Sequence, residues 1–184
     1  MSNEKVLDAL VRLTYGMYVV TSRAGDRMNG QISDALMQVT LEPPRIALSV
    51  NKAELTHELI AESGLVGVSV LAPSVPKETI LLFGFRSGRN TNKFEFVDHR
   101  EGVTGVPLLT KDVVSVFEGK VVERVDLGTH TVFVVEVVDG RVVAEGPPLT
   151  YAYYQEHMRG ATHKNAPTYR PAPVKKKPQE GAPE

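Results

Sequence analysis

The chain contains no cysteine, and this absence excludes several kinds of site at once. Disulfide bonds, thiolate nucleophiles, zinc–thiolate centres and iron–sulfur clusters all require cysteine sulfur. Redox chemistry in this chain would therefore depend on a bound organic cofactor. The motifs G-x-G-x-x-G, G-x-x-x-x-G-K-[ST] and G-x-S-x-G are also missing, so no motif favours a Rossmann domain, a P-loop or an α/β-hydrolase.

An excess of one charge and long apolar runs are absent as well. The 184 residues carry 21 basic and 22 acidic side chains, which gives a formal net charge of -1. A near-neutral chain is not suited to neutralising many phosphates, and no apolar run approaches the length of a membrane span. The beginning of the chain is amphipathic and partly acidic, unlike a signal peptide. We expect a cytoplasmic protein that binds neither nucleic acid nor a membrane.

The length of the chain predicts one domain, because domains usually contain about 100–200 residues. We expect this domain to span residues 1–170. The following stretch, PAPVKKKPQEGAPE, is poor in large apolar side chains and rich in Pro and Lys. Such a stretch cannot bury enough surface to offset its ordering entropy. Residues 171–184 are therefore expected to form a disordered tail.

Most of the expected domain has the composition of β-strands. Segments such as GMYVVTSR, RIALSVN, LVGVSVLA and THTVFVVEVV are rich in β-branched residues and are separated by Gly, Pro, Asn or Asp. Asp139-Gly140 lies between two Val-rich runs and predicts a two-residue hairpin turn between antiparallel strands. Hydrophobic periodicity and end signals predict helices at Val6–Leu13, Glu54–Ser63, Lys77–Phe85 and Thr150–Gly160. The fold class is expected to be mainly β, a barrel with short flanking helices.

Small polar residues cluster in and after the NGQIS stretch. Glycine has no Cβ, so another molecule can approach the backbone closely at Gly30. The same residues are also typical of a hairpin turn without any binding function, because Asn-Gly strongly favours such turns. Both interpretations remain open from the residues alone. The polar residues of this region are Asn29, Gly30, Gln31, Ser33, Gln38 and Thr40.

Two further stretches are suited to bind anions. SVNKAELTHE runs from a strand into a helix and puts Asn51, Lys52 and Thr56 near the helix N-terminus, where free N–H groups favour a phosphate. FGFRSGRN offers Arg86 and Arg89 for a second phosphate or a carboxylate. Both stretches could instead have purely structural roles, since Asn and Thr often cap helices and Lys and Arg side chains are often surface charges.

The five histidines show no spacing typical of metal ligands, so no metal site is predicted. His130 begins a Val-rich strand, where it could be a histidine of the barrel or a functional side chain.

Taken in order, several stretches resemble the flavin reductase-like family of FMN-binding split-barrel proteins. They include YGMYVVTS, NGQISDALMQVT, PPRIALSVNKAELTHE, FGFRSG, GTHTVFVVEV, LTYAYYQEHMRG and KNAPTY. The family includes ferric reductase, flavoredoxin and the flavin domain of high-molecular-weight rubredoxin. The resemblance covers Val6 to Tyr169. It implies a six-stranded antiparallel split β-barrel, a homodimer, non-covalent FMN at the subunit interface and NADH or NADPH as co-substrate.

The resemblance also implies which residues bind the cofactor. Gly30 to Ser33 would line the edge of the isoalloxazine ring, and His130 would lie where the nicotinamide stacks. The phosphate would be held by Asn51, Lys52, Thr56 and His57. The resemblance thus places His130 in the catalytic position. Asp34 departs from the family, whose members often carry a neutral residue there. The implied cofactor-binding residues are Asn29, Gly30, Gln31, Ile32, Ser33, Gln38, Thr40, Asn51, Lys52, Thr56, His57, Phe83, Gly84 and Arg86.

The activity implied is hydride transfer from NAD(P)H to FMN, followed by electron delivery to an acceptor. One alternative is an electron carrier that keeps FMN bound and exchanges electrons with a redox partner such as a rubredoxin-like protein. A third possibility is a split barrel that stores flavin or binds haem, with His130 or His163 as the axial ligand.

Overall fold

The structure of the chain is a computed structural model that describes residues 3–10 and 12–170. The predicted tail at residues 171–184 lies outside the described residues. The α-helices in the described part are Asn3–Leu10 (α1), Leu55–Ser63 (α2), Lys77–Phe85 (α3) and Tyr151–His157 (α4), and Lys93–Glu95 forms a 3-10 helix. The strands are Tyr18–Ala24 (β1), Arg27–Ser33 (β2), Leu36–Leu41 (β3), Pro44–Asn51 (β4), Leu65–Leu71 (β5), His99–Glu101 (β6), Pro107–Leu109 (β7), Val113–Asp126 (β8) and His130–Val142 (β9).

The main sheet of the described residues has the strand order β2-β1-β5-β8-β9-β4-β3, and all neighbours are antiparallel. It contains seven strands instead of the six expected, and β6 and β7 form a separate pair. The strands β2 and β3 follow each other in the chain but lie at opposite ends of the sheet. Residues 34–35 must join these two edges, so the sheet curls into a barrel that stays open between them. The predicted split β-barrel is confirmed, and we call this gap the seam.

Two apolar clusters fix the elements around the seam. Val20, Leu48 and Phe133 belong to the cluster inside the barrel. Ile80 and Phe83 of α3 belong to a second cluster, which packs the helix against the outside of the barrel. Burying each such side chain contributes roughly 1.5–3 kcal/mol, so α3 is held firmly against the sheet.

The predicted turn at Asp139-Gly140 is wrong, although β8 and β9 are antiparallel as expected. Asp139 and Gly140 lie inside β9, opposite Glu118 and Phe117. The register shifts between Glu118 and Gly119 and leaves Val138 without a partner, so a bulge lies directly before the Asp-Gly pair. The chain reverses instead at residues 127–129, where Gly128 has a φ of 80°. Pairing along two long strands outweighed the local preference of Asp-Gly for a turn.

The interpretation of Asn29-Gly30 as a hairpin turn is also wrong. Both residues lie within β2, opposite Ser22 and Thr21 of β1, and the chain reverses at residues 25–26, where Gly25 has a φ of 58°. Gly30 serves packing instead. A Cβ atom there would lie 2.9 Å from Cε1 of Phe83, so β2 and α3 touch at this point.

The predicted helices are present with small differences. α2 begins one residue later than expected and ends at Ser63, followed by Gly64, whose φ of 69° makes it a left-handed cap. Thr56 lies inside α2 and does not cap it. α4 ends at His157, before Gly160, and α1 ends at Leu10. None of the described helices is long and apolar enough to cross a membrane.

Candidate functional site

A cavity of about 260 Å³ opens at the seam, and we call it the seam cavity. One wall is the end of β2, a second is the end of α3 with the residues after it, and a third comes from β4 and β9. A segment without regular secondary structure, residues 161–170, closes the remaining side, and we call it the C-terminal strap. The lining residues are Gln31, Ile32, Ser33, Asp34, Ser49, Asn51, Ala53, Glu54, Phe83, Gly84, Phe85, Arg86, Ser87, His130, His163, Asn165, Ala166 and Pro167.

The β2 wall offers hydrogen-bonding groups that the fold leaves free. β2 is an edge strand of the main sheet, and an edge strand presents backbone groups without strand partners. Oε1 of Gln31 is buried and accepts no hydrogen bond from the part of the chain that the structure describes. A buried acceptor without a donor costs about 1–3 kcal/mol, so this atom favours a ligand that carries an N–H group.

The α3 wall combines an apolar surface with a cation. Phe83 and Gly84 end the helix, and a Cβ on Gly84 would lie 3.5 Å from Cγ1 of Ile32 on the facing wall. Glycine therefore leaves space between the two walls. Arg86 follows the helix and lines the cavity. It forms no salt bridge within the described residues, so its guanidinium is available to an anion.

The C-terminal strap is tied to the cavity by polar contacts. The main-chain carbonyl of Asn165 accepts from Nδ2 of Asn51 at 3.3 Å and lies 3.2 Å from Nε2 of His130. Nδ2 of Asn165 donates to Oε1 of Glu54 at 2.7 Å. The hydroxyl of Thr168 donates to Oδ2 of Asp34. These bonds hold the strap against the ends of β4 and β9, the residue that follows β2 and the residue that precedes α2.

Acidic and basic groups share the seam cavity. Asp34 is 6% exposed, and its burial raises the pKa of the carboxyl, an effect that the hydrogen bond from Thr168 partly offsets. Glu54 stands at the N-terminus of α2, and His163 packs its ring edge-on against Phe85 with centroids 5.8 Å apart. A negatively charged ligand would therefore lie closer to Arg86 and the histidines than to the two carboxylates.

The cavity brings together eight of the residues that the sequence predicted for the site. They are Gln31, Ile32, Ser33, Asn51, Phe83, Gly84, Arg86 and His130. Asn29 and Gly30 precede these residues on β2 and are buried next to the cavity without lining it. Nδ2 of Asn29 donates to the hydroxyl of Thr56 at 2.9 Å, and both side chains are buried.

The other predicted residues lie outside the seam cavity. Nζ of Lys52 binds both carboxylate oxygens of Asp126 at 2.6 Å. Nε2 of His57 lies 2.8 Å from the hydroxyl of Thr131, and its burial lowers the pKa of the imidazole. Gln38 and Thr40 are exposed on β3, at the other edge of the sheet. Their part in binding a cofactor stays a prediction.

Sequence reasoning from strand ends gave no roles to Ser49, Glu54 or Asn165, which also line the cavity. The KNAPTY stretch, which lies in the strap, contributed to the family resemblance, but its residues alone predicted no role in binding or catalysis. Among the described residues, no three His, Asp or Glu side chains are placed to hold a metal ion.

Comparison with known proteins agrees with the family resemblance found in the sequence. The family model described as "Flavin reductase like domain" matches residues 10–162. The chain is 45% identical over 162 residues to a high molecular weight rubredoxin of Moorella thermoacetica, covering 88% of this chain and 70% of that protein. It is 44% identical over 163 residues to a ferric-chelate reductase (NAD(P)H) of Archaeoglobus fulgidus, covering 89% and 96%. An FMN-binding protein from Thermus thermophilus has a similar solved structure, with a TM-score of 0.66, 25% identity, and coverage of 71% and 72%.

Proposed function

Because the chain belongs to the flavin reductase-like family, we propose that it is an FMN-dependent oxidoreductase that takes electrons from NADH or NADPH and passes them to an acceptor. The observation that carries this proposal is the seam cavity, where a buried acceptor of Gln31 and the edge of β2 face the end of α3. One relative is named for reduction with NAD(P)H and a similar structure for FMN binding, which supports both parts of the proposal.

The donors and acceptors of the seam cavity fit FMN. The flavin pyrimidine ring has one N–H group between two carbonyls, so it can give Oε1 of Gln31 the donor that this atom lacks. Backbone groups of Ile32 and Ser33 on the same edge strand can pair with the adjoining ring atoms. Arg86 can take the phosphate. In this proposal Lys52, which is paired with Asp126, is a second and more distant cation.

Bound FMN would supply the chemistry of accepting a hydride, and the chain would orient the reactants. Hydride transfer needs close stacking of two rings and no general base, so positioning is the main task of the protein. His130 is suited to this task, because Thr129 and the carbonyl of Asn165 lie within hydrogen-bond distance of its two ring nitrogens and fix the ring plane. Phe83 and Phe85 exclude water from one side of the cavity.

We extend the proposal to a homodimer in the cytoplasm. A volume of about 260 Å³ lies just below the usual range of ligand pockets, roughly 300–1,000 Å³, so one subunit supplies only part of a flavin site. On the sheet, an open groove of about 640 Å³ runs along β3, β4, β8 and β9. The side chains of Met37 and Leu41 on β3 are exposed at 64% and 82%. A second copy of the chain would cover the groove and these exposed apolar side chains at the edge of the sheet.

A second candidate is an electron carrier that keeps FMN bound and exchanges electrons with a protein. The 45% identity to a high molecular weight rubredoxin favours this alternative, with a rubredoxin-like partner. Such a carrier would be reduced by its partner and not by a nicotinamide nucleotide.

The experiment that tests the proposal is an anaerobic absorbance titration of the FMN-loaded protein with NADH and with NADPH. Bleaching of the flavin band by either nucleotide is expected and would establish the reductase. A flavin band that neither nucleotide changes would support the carrier. Failure to bind FMN would overturn both, and a Soret band in the purified protein would indicate haem.

The assignment of the phosphate can be tested with two arginines of one loop. Arg86→Ala should raise the dissociation constant of FMN by about tenfold or more, because a charge-assisted bond to a phosphate contributes roughly 1.5–3 kcal/mol. Arg89→Ala is the control, since Arg89 pairs with Glu58 and does not line the cavity. Fluorescence titration of FMN measures both. Equal affinities of the two variants would contradict the assignment.

A further inference from the structure

A buried lysine lies directly behind the seam cavity and has no role in the mechanism above. Lys93 begins the 3-10 helix, and only 3% of it is exposed. Its Nζ donates to the main-chain carbonyl of Gly30 at 2.8 Å and lies 3.5 Å from the carbonyl of Phe83. The ammonium is also 5.7 Å from the centre of the Phe83 ring. Lysine is rarely buried without a partner, so this position needs an explanation.

The charge of Lys93 is poorly compensated. Lys93 forms no salt bridge with the side chains that the structure describes. Burial lowers the pKa of its ammonium to about 8, and the more distant charge of Glu54 opposes this effect. The side chain is still mainly protonated at pH 7. Carbonyl groups solvate a cation only partly, so the folded protein keeps a buried positive charge that an anion would stabilise.

The two carbonyls that Lys93 contacts belong to the two facing walls of the cavity. Gly30 directly precedes the lining residues Gln31 to Ser33 of β2, and Phe83 itself lines the cavity from α3. These walls already touch here, because a Cβ on Gly30 would lie 2.9 Å from the ring of Phe83. Lys93 therefore joins the walls at the point where they meet.

We propose that Lys93 is a positioning residue of the flavin site, whose ammonium holds the β2 and α3 walls together and stabilises negative charge on the reduced flavin. This inference rests on the proposed binding of FMN in the seam cavity. Reduction adds two electrons to the flavin and often only one proton, so the reduced form carries more negative charge. A fixed cation behind the ring would bind the reduced form more tightly than the oxidised form.

The test compares the affinities of oxidised and reduced FMN in variants at this position. Lys93→Met removes both the charge and the hydrogen bond, whereas Lys93→Gln removes the charge and keeps N–H donors for the carbonyls. The matched control is Lys77→Met, an exposed lysine at the start of α3. Fluorescence titration gives the dissociation constant of oxidised FMN. The midpoint potential of the bound flavin then gives the dissociation constant of reduced FMN. Thermal unfolding of the FMN-free protein checks that each variant folds.

We expect both variants to lose affinity for reduced FMN by at least tenfold more than for oxidised FMN. For this two-electron couple a tenfold difference is about 30 mV in the midpoint potential. Lys77→Met should leave the potential unchanged. A merely structural role of Lys93 would weaken both forms equally, and an equal loss or no loss would overturn the proposal. If Lys93→Met does not fold, Lys93→Gln decides alone by the same criterion. Failure of the wild-type protein to bind FMN would instead overturn the proposed function.

Discussion

At the scale of single residues, the hydrogen bond between Asn29 and Thr56 stabilises the region behind the cavity. Both side chains are buried, and the amide of Asn29 donates to the hydroxyl of Thr56. Thr56→Val keeps the shape but removes the acceptor, so it should lower the free energy of unfolding by about 1–3 kcal/mol. Urea denaturation measures the change. Thr14→Val, at an exposed position, is the control, and equal stabilities of the two variants would show that the amide finds another partner.

The buried carboxyl of Asp34 predicts a dependence of stability on pH. Burial raises the pKa of Asp34 in the folded protein above its ordinary value in the unfolded chain. At a pH between these two pKa values, the folded protein therefore holds a proton that the unfolded chain has lost. Stability therefore falls as pH rises through this interval, and the full cost is present above the folded pKa. Asp34→Asn has no carboxyl to ionise, so its stability relative to the wild type should be greater at pH 8 than at pH 3.

Urea denaturation at both pH values tests this prediction. Asp139→Asn is the control, because it makes the same change of side chain at an exposed position of β9. A stability difference for Asp34→Asn that is the same at pH 3 and pH 8 would mean that Asp34 keeps its ordinary pKa in the folded state.

The predicted residues that line the cavity were either visible as polar clusters in the sequence or implied by the family resemblance, and most of them fall in two short stretches. Gln31 to Ser33 are consecutive, and Phe83, Gly84 and Arg86 share the end of one helix. The sequence did not predict a role for Lys93, because its ammonium contacts carbonyl groups of residues that lie 63 and 10 positions away in the chain. A lysine in a polar stretch predicts a surface charge, and only the packing of the 3-10 helix buries it.

At the scale of elements, the C-terminal strap closes one side of the cavity and is held there by hydrogen bonds. Replacing Asn165 by Ala and Thr168 by Val removes the bonds to Glu54 and Asp34 that hold it. Local opening of this segment should then become more frequent, and trypsin should cleave after the exposed Lys164 about five times faster or more. Cleavage after Lys111, which is exposed between β7 and β8, provides the internal control. Unchanged cleavage after Lys164 would mean that other contacts hold the strap.

The existence of elements was easier to predict than the places where the chain reverses. α3 was predicted with its observed ends, because Pro76 precedes it and its apolar residues are continuous. The Asp-Gly and Asn-Gly pairs both predicted turns and both lie in strands. Each flanking strand has a partner that continues past the pair, and this long-range pairing cannot be read from a local dipeptide. The split barrel was implied by the family resemblance and not by periodicity, and the order of the strands in the sheet was seen only in the structure.

At the scale of the whole molecule, the exposed apolar side chains of the edge strand β3 predict association of two chains. Leu41→Glu combined with Met37→Glu would place charges along this edge, so the protein should become a monomer in light scattering and lose affinity for FMN by about tenfold or more. Val103→Glu, at a position 75% exposed in the turn between β6 and β7, is the control and should leave the mass unchanged. A wild-type protein that is monomeric at micromolar concentration would contradict the proposed dimer.

The strand order has a consequence for how the molecule is held together. The walls of the seam cavity come from β2, at one end of the sheet, from β4 and β9 near the other end, and from the C-terminal strap. These segments are distant in the chain and meet only when the barrel has closed, so no fragment of the chain can present the complete site. A ligand bound across the seam acts as a non-covalent cross-link between the two ends of the sheet. The free energy of unfolding would then rise with the concentration of that ligand, because binding requires both ends of the sheet to be in place.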